Sequence, residues 1–179
     1  MKAATHRYTT SDWVPLPVDQ VFAFFCQPKN LPPLMPHWQR ARLDALALVP
    51  PPPPAGGSSI SGAAGKGSRI TLGFRPLPFS PMRMHWLALI DEFEWNSRFC
   101  DLQLTGPFDY WRHCHQVEAE ERDGWQGTLV TDDVQYRFPL GPLDPVVNAL
   151  GGRAQLALLF RFRQQQLRKL FGLTPTHMA

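Results

Sequence analysis

A chain of 179 residues, 44% of them hydrophobic, has the length of one ordinary domain and enough apolar material for a core. Eighteen basic against fifteen acidic side chains leave a formal charge of +3, too mild to signal nucleic acid without a basic stripe, and no apolar run approaches a membrane span. Collagen, coiled coil and wholesale disorder are excluded, while enzyme and binding module both stay open.

The N-terminal segment MKAATHRYTTSDW lacks the apolar centre of a secretory signal, so a cytoplasmic location is expected. Residues 6–14 read as a first strand. Val18, Val21, Phe22 and Phe25 then fall at helical spacing on a short amphipathic helix that Pro28 ends. NLPPLMPHW permits one further helical turn with Asn30 as cap, before a second strand over about 40–49. Five prolines, Pro50 to Pro54, open the stretch AGGSSISGAAGKG, which has no apolar period and almost no charge. Residues 50–67 are therefore expected to be a flexible loop that buries nothing, within one domain spanning 1–179.

After the loop, segments 68–75, 82–90, 99–105, 109–120 and 125–138 alternate or are rich in β-formers, separated by Gly, Pro, Asn or Asp. This spacing predicts an antiparallel meander. Asp144 and Pro145 make a helix cap and first position, and one long helix is expected from there to about Phe171, where Gly172 and Pro175 stop it. Leu156, Phe160, Arg163 and Leu167 mark one side of that helix, with Leu159 and Leu170 adjacent. Arg153, Arg161, Arg168 and Lys169 are left to a solvated face.

Asp123-Gly124 is a preferred two-residue hairpin turn. A tight turn there sets His115 opposite Asp132, His113 opposite Val134, Trp111 opposite Tyr136 and Val117 opposite Val130, all on one face. The opposite face, with Arg112, Gln116, Glu118, Thr131, Asp133, Gln135 and Arg137, belongs to water. In the preceding hairpin, a turn at Gly106-Pro107 pairs Leu102 with Trp111 and Cys100 with His113 inside and sends Asp101 outside. A loop one residue longer would turn Asp101 and Gln103 inward instead. On the strand before, Met84, Trp86, Ala88 and Ile90 form the apolar set. The inner face thus mixes aromatic and aliphatic residues with two histidines and Asp132, whose lone carboxylate needs either His115 or water.

Cys26, Cys100 and Cys114 are too few and too oddly numbered for a disulfide framework and match no zinc spacing, so reduced, mostly buried thiols are expected. His113-Cys114-His115 puts two imidazoles on one side of a strand, a spacing that chelates metal when a third ligand is near, with Asp132 the obvious third. A lone HxH is a weak signal, however, and cross-strand His–Asp pairs commonly only satisfy one another. No metal is expected. Nor is any other cofactor, since the chain has no phosphate-cradling glycine loop and no dinucleotide fingerprint.

The element order, with the segments VFAFFCQPKNLPPLMP, RFCDLQLTGPFDYWRHCHQVE and DDVQYRFPLGP, resembles the SRPBCC superfamily of START and polyketide cyclase/dehydrase-like proteins, and in particular a bacterial ligand-binding subgroup. The resemblance covers nearly the whole chain. Its most specific part combines GPFxxWRHxH with DxVxYxxPLGP, resting on Gly106, Pro107, Trp111, His113, His115, Asp132, Val134, Tyr136, Pro139 and Gly141. The Pro/Gly insertion at 50–67 is longer than the subgroup pattern. The resemblance implies an α+β helix-grip fold: a curved seven-stranded antiparallel sheet around a long C-terminal helix, with two short helices after the first strand. It also implies an internal apolar cavity between sheet and helix.

The expected function is binding of a small hydrophobic or amphipathic molecule there. Trp86, Leu102, Trp111, Val130, Val134, Leu156 and Phe160 would form its walls, and His113, His115, Asp132 and Tyr136 would fix a polar end. Neither a nucleic-acid partner nor stable membrane insertion is expected. The alternative is a cyclase- or dehydratase-like enzyme in which His115, oriented by Asp132, removes a proton while Tyr136 or His113 donates to the developing oxyanion.

Overall fold

In the computed structural model, which describes residues 5–54 and 60–173, seven strands build one antiparallel sheet. They are β1 (His6–Val14), β2 (Arg42–Ala47), β3 (Arg69–Phe74), β4 (Met84–Glu94), β5 (Arg98–Thr105), β6 (Tyr110–Arg122) and β7 (Trp125–Arg137). They pair in the order β1-β7-β6-β5-β4-β3-β2, so the only neighbours distant in sequence are the first strand and the last. Helix α1 (Val18–Phe25) buries Val21 and Phe22, the apolar pair its helical period places on one side. Prolines 28, 32, 33 and 36 cannot donate to a helix ladder. Where one further turn is expected, the chain makes three separate 3-10 turns, Pro28–Asn30, Pro32–Leu34 and His37–Gln39. Asn30 does not start a helix; its side-chain amide donates to the Phe24 carbonyl at the end of α1, 2.8 Å away.

The C-terminal helix forms, but in pieces. A turn of helix α2 (Asp144–Val147) leads through a wider π-type turn (Asn148–Gly152) into α3 (Arg153–Leu170). Asp144 makes no cap. Its buried carboxylate instead accepts from the Phe138 amide at 2.7 Å and bonds the His6 ring at 2.7 Å, fastening the helix start to β1 and β7. Gly151 departs from helical geometry, and a Cβ on Gly152 would stand 2.6 Å from the Phe138 ring. A bare backbone is what lets α3 seat against the end of the sheet. At the far end Gly172 takes φ +67°, and the Leu173 amide returns to the Arg168 carbonyl at 2.9 Å, the left-handed stop expected of glycine. Pro175 lies outside the described residues.

The hairpin β6–β7 pairs as expected, with His115 opposite Asp132, His113 opposite Val134 and Trp111 opposite Tyr136. Asp123 and Gly124 both take positive φ, 52° and 78°, as the tight turn requires. The pairing of β5 with β6 is displaced by one residue: Asp101 faces His113, Leu102 faces Arg112, and Cys100 faces Cys114. The connection is longer than two residues because Gln103 leaves the ladder and its side-chain amide donates to the Phe108 carbonyl at 2.6 Å. A shift of one residue swaps the faces. Asp101 turns inward, and Leu102 and Cys100 turn to the outer side, contrary to the expected register. Cys100 and Cys114 then stand directly across from each other and form a disulfide, which corrects the expectation of reduced thiols; Cys26 is free and buried.

The expectation that 50–67 buries nothing is also corrected, with 55–59 outside the described residues. Ala63 and Ala64 are buried in the core with Val14, Phe22 and Cys26, and Ile60 packs against them. The amides of Ala64, Gly65 and Gly67 donate to the carbonyls of Cys26, Val49 and Ile90, each at 2.8 Å. Small residues carry no hydrophobic period, yet they permit this backbone-to-backbone seating. A Cβ on Gly65 would meet the Pro51 backbone at 2.7 Å.

Two apolar clusters result. One surrounds Phe22 with Phe99, Val117, Val130 and Leu167; the other surrounds Tyr136 with Tyr8, Trp111, Val134, Leu156 and Phe160. Along β6 the inward side chains run Trp111, His113, His115, Val117, so the two histidines fall where the clusters meet.

Candidate functional site

Strand alternation on β6 aims both imidazoles inward, and each is 4% exposed. Asp132, 5% exposed, lies behind them on β7. Its Oδ1 is 2.9 Å from Nε2 of His113 and 2.6 Å from Nδ1 of His115. From β5, Oδ2 of Asp101 comes within 3.5 Å of Nδ1 of His113. From α3, Nη2 of Arg163 lies 3.2 Å from Nε2 of His115. The guanidinium has no acceptor, so it donates to Nε2, and the proton of His115 sits on Nδ1, toward Asp132.

Aromatic rings enclose the group. Phe25 stacks on His115 at 5.2 Å between centroids and 18° between planes, Phe99 lies 4.6 Å from the same ring, and Phe160 meets His113 edge-on at 5.3 Å. The Arg163 guanidinium stands over Phe25 at 5.5 Å. Burial is the largest influence on His115 and, with the neighbouring His113 and Arg163, pushes its pKa down to about 3 against the pull of Asp132. Burial opposes ionisation of Asp132, but the two imidazoles and Arg163 outweigh it and hold that carboxyl well below the usual range. Burial pushes Asp101 up, despite His113 and Arg163. The cluster at neutral pH is thus an ionised Asp132 behind a neutral His115.

A pocket of about 410 Å³ opens in front of the cluster. Phe25, Ile70, Leu72, Trp86, Ala88, Ile90, Phe99, Trp111, Leu156, Leu159 and Phe160 give it apolar walls, and Gln39, Asp101, His113, His115, Gln155 and Arg163 give it polar ones. Of the residues expected around a ligand, Trp86, Trp111, His113, His115, Leu156 and Phe160 line this pocket. Leu102 does not, because the shifted register turns it to the outer side. Val130 and Val134 are packed in the two core clusters. Asp132 is held behind the histidines, and the Tyr136 hydroxyl donates to Oδ1 of Asn148 at 2.6 Å. Sequence reasoning turned Asp101 inward only for the longer β5–β6 connection that the chain in fact makes, and it did not place Arg163 in the site. That residue carried a signal: one arginine interrupts an otherwise apolar stripe on α3. The donor set for a cation also differs from expectation, since Asp101, and not Asp132, completes a group with the two histidines.

By sequence, no family model and no curated protein matches the chain. Solved structures do. Protein Ms6760 from Mycobacterium smegmatis aligns with a TM-score of 0.61 at 14% identity over 95% of this chain and 97% of its own. A START superfamily protein from the same organism aligns at 0.54 and 14%, over 90% and 99%. Ara h 8.0201 aligns at 0.55 and 14%, over 92% and 99%. The chain has the START-like helix-grip fold. Helix α3 lies against the seven-stranded sheet, with Gln164 and Arg168 bonded to Thr10 and Asp12 of β1. Among the described residues no helix is long and apolar enough to cross a membrane.

Proposed function

We propose that the protein binds a small hydrophobic or amphipathic molecule in the 410 Å³ pocket, with its apolar body against Trp86, Trp111, Leu156 and Phe160 and its polar end toward Asp101, His113 and Arg163. The observation that carries this reading is the asymmetry of the lining: aromatic and aliphatic walls around one compact set of hydrogen-bonding groups, in a volume typical of ligand sites. Asp132 acts from behind by fixing the His113 ring, His115 adds to the polar wall, and Val130, Val134 and Tyr136 support the apolar ones. Against the enzyme reading stands the engagement of Nε2 of His115 by Arg163, since that is the nitrogen a general base would turn to a substrate. The Cys100–Cys114 disulfide favours an oxidising compartment over the cytoplasm.

Titration with 1-anilinonaphthalene-8-sulfonate tests the reading. The dye should bind the native protein at one site and be displaced by aromatic polyketides or long-chain alcohols. Phe160→Ala and Trp111→Leu should each change its affinity, while Leu102→Ala, on the outer face, should not. Dye binding that ignores both pocket variants would refute the proposal.

A further inference from the structure

We propose that Asp101, His113 and His115 form a binding site for a divalent transition-metal cation of zinc type, at the polar end of the pocket. One donor atom from each lies within 4.8 Å of the other two, a spread that modest side-chain rotation closes onto one ion at roughly 2.0–2.2 Å. The spacing is built into the backbone, because Asp101 and His113 are directly opposed on β5 and β6 and His115 follows two residues on.

Asp132 is the second observation. It meets Nε2 of His113 and Nδ1 of His115. Asp132 holds a proton on Nε2 of His113 and Arg163 donates to Nε2 of His115, so Nδ1 of His113 and Nε2 of His115 carry the lone pairs, and the carboxylate behind the rings is the outer-shell partner that prepares an imidazole for a metal. Charge is the third. Two carboxylates, Asp101 and Asp132, stand against one guanidinium, and that guanidinium already presents a cation to the His115 lone pair. Nε of Arg163 is buried without a hydrogen bond, and its flexible stem, on a helix outside the sheet, lets the head swing aside when a more compact cation arrives. Two imidazoles and one carboxylate suit zinc, iron(II) or cobalt(II) better than magnesium or calcium, and three protein ligands leave a coordination position open toward the pocket.

The ion alone tests this site, so its failure leaves the ligand reading untouched. Full-length protein, stripped with a chelator, is titrated with zinc sulfate by calorimetry and with cobalt(II) chloride by visible absorption. One equivalent per chain is expected, with a cobalt spectrum of nitrogen and oxygen ligation and a thermal midpoint raised by zinc. Asp101→Asn, at the pocket surface, should keep the far-UV spectrum but bind zinc about tenfold or more weakly and lose the midpoint shift; Asp132→Asn should cost about 10–100-fold, the usual effect of an outer-shell change. Arg163→Met should bind at least as tightly as the unaltered chain. No stoichiometric uptake by either the unaltered chain or Arg163→Met overturns the site, and so does uptake that Asp101→Asn leaves unchanged.

Discussion

The guanidinium of Arg163 lies 3.2 Å from Nε2 of His115, tying the last helix to the middle of the sheet across 48 residues of sequence. This contact fixes the tautomer of His115 and adds to the forces that keep its ring neutral. Replacing Arg163 with Met removes a positive charge from the ring, so the His115 pKa should rise from about 3. Ring-carbon NMR shifts followed against pH measure it directly; an unmoved titration would mean that the guanidinium does not face the ring.

Acid should destabilise the protein from an unusually high pH. His115 has a folded pKa near 3, below the ordinary 6.5, so the unfolded chain takes up a proton first as pH falls, and stability drops through that window. The slope from this one group approaches about 1.4 kcal/mol per pH unit between its two pKa values. Asp132, also depressed, withdraws its contribution only at lower pH. Asp101, raised by burial, works in the opposite sense and regains stability on protonation. Urea unfolding from pH 7 to pH 4 should show the slope, and His115→Gln should flatten it.

Ala64 sits in the core with its amide on Cys26. Enlarging it to Leu overpacks that contact and should cost about 1–3 kcal/mol by urea denaturation. The same change at Gly62, open to solvent on all sides but at φ +77°, would act through the backbone alone. A neutral Ala64→Leu would return residues 60–67 to the status of a passive connection.

How far this architecture could be read in advance depended on what set each register. The β6–β7 hairpin is dictated by two residues, Asp123 and Gly124, whose positive φ leaves a single tight geometry, and every inward residue there followed. The β5–β6 hairpin has no such lock. Gln103 competes for the Phe108 carbonyl, the strand slips by one, and Asp101 exchanges places with Leu102. Packing through small residues was equally hidden, because Ala63, Ala64 and Gly65 bury backbone more than side chain and leave no periodic trace. Arg163 was visible as an anomaly whose meaning only the fold supplies.

Thiol chemistry distinguishes the three cysteines. Cys26 is buried with its pKa pushed up to about 11, so the native protein should be inert to thiol reagents. Denaturation without reductant should expose one thiol per chain, and reduction should expose three. Three thiols without reductant would show that Cys100 and Cys114 are not joined.

The pairing of β1 with β7 has a consequence in time. His6 stands opposite Tyr136 and Val14 opposite Thr128, so the first strand leaves the ribosome well before its partner exists. At a synthesis rate of about 5–20 residues per second, the 130 residues from His6 to Tyr136 correspond to roughly 7–26 s. Throughout that interval β1 lacks its hydrogen-bond ladder, and the nascent chain carries this strand unpaired until β7 has been made.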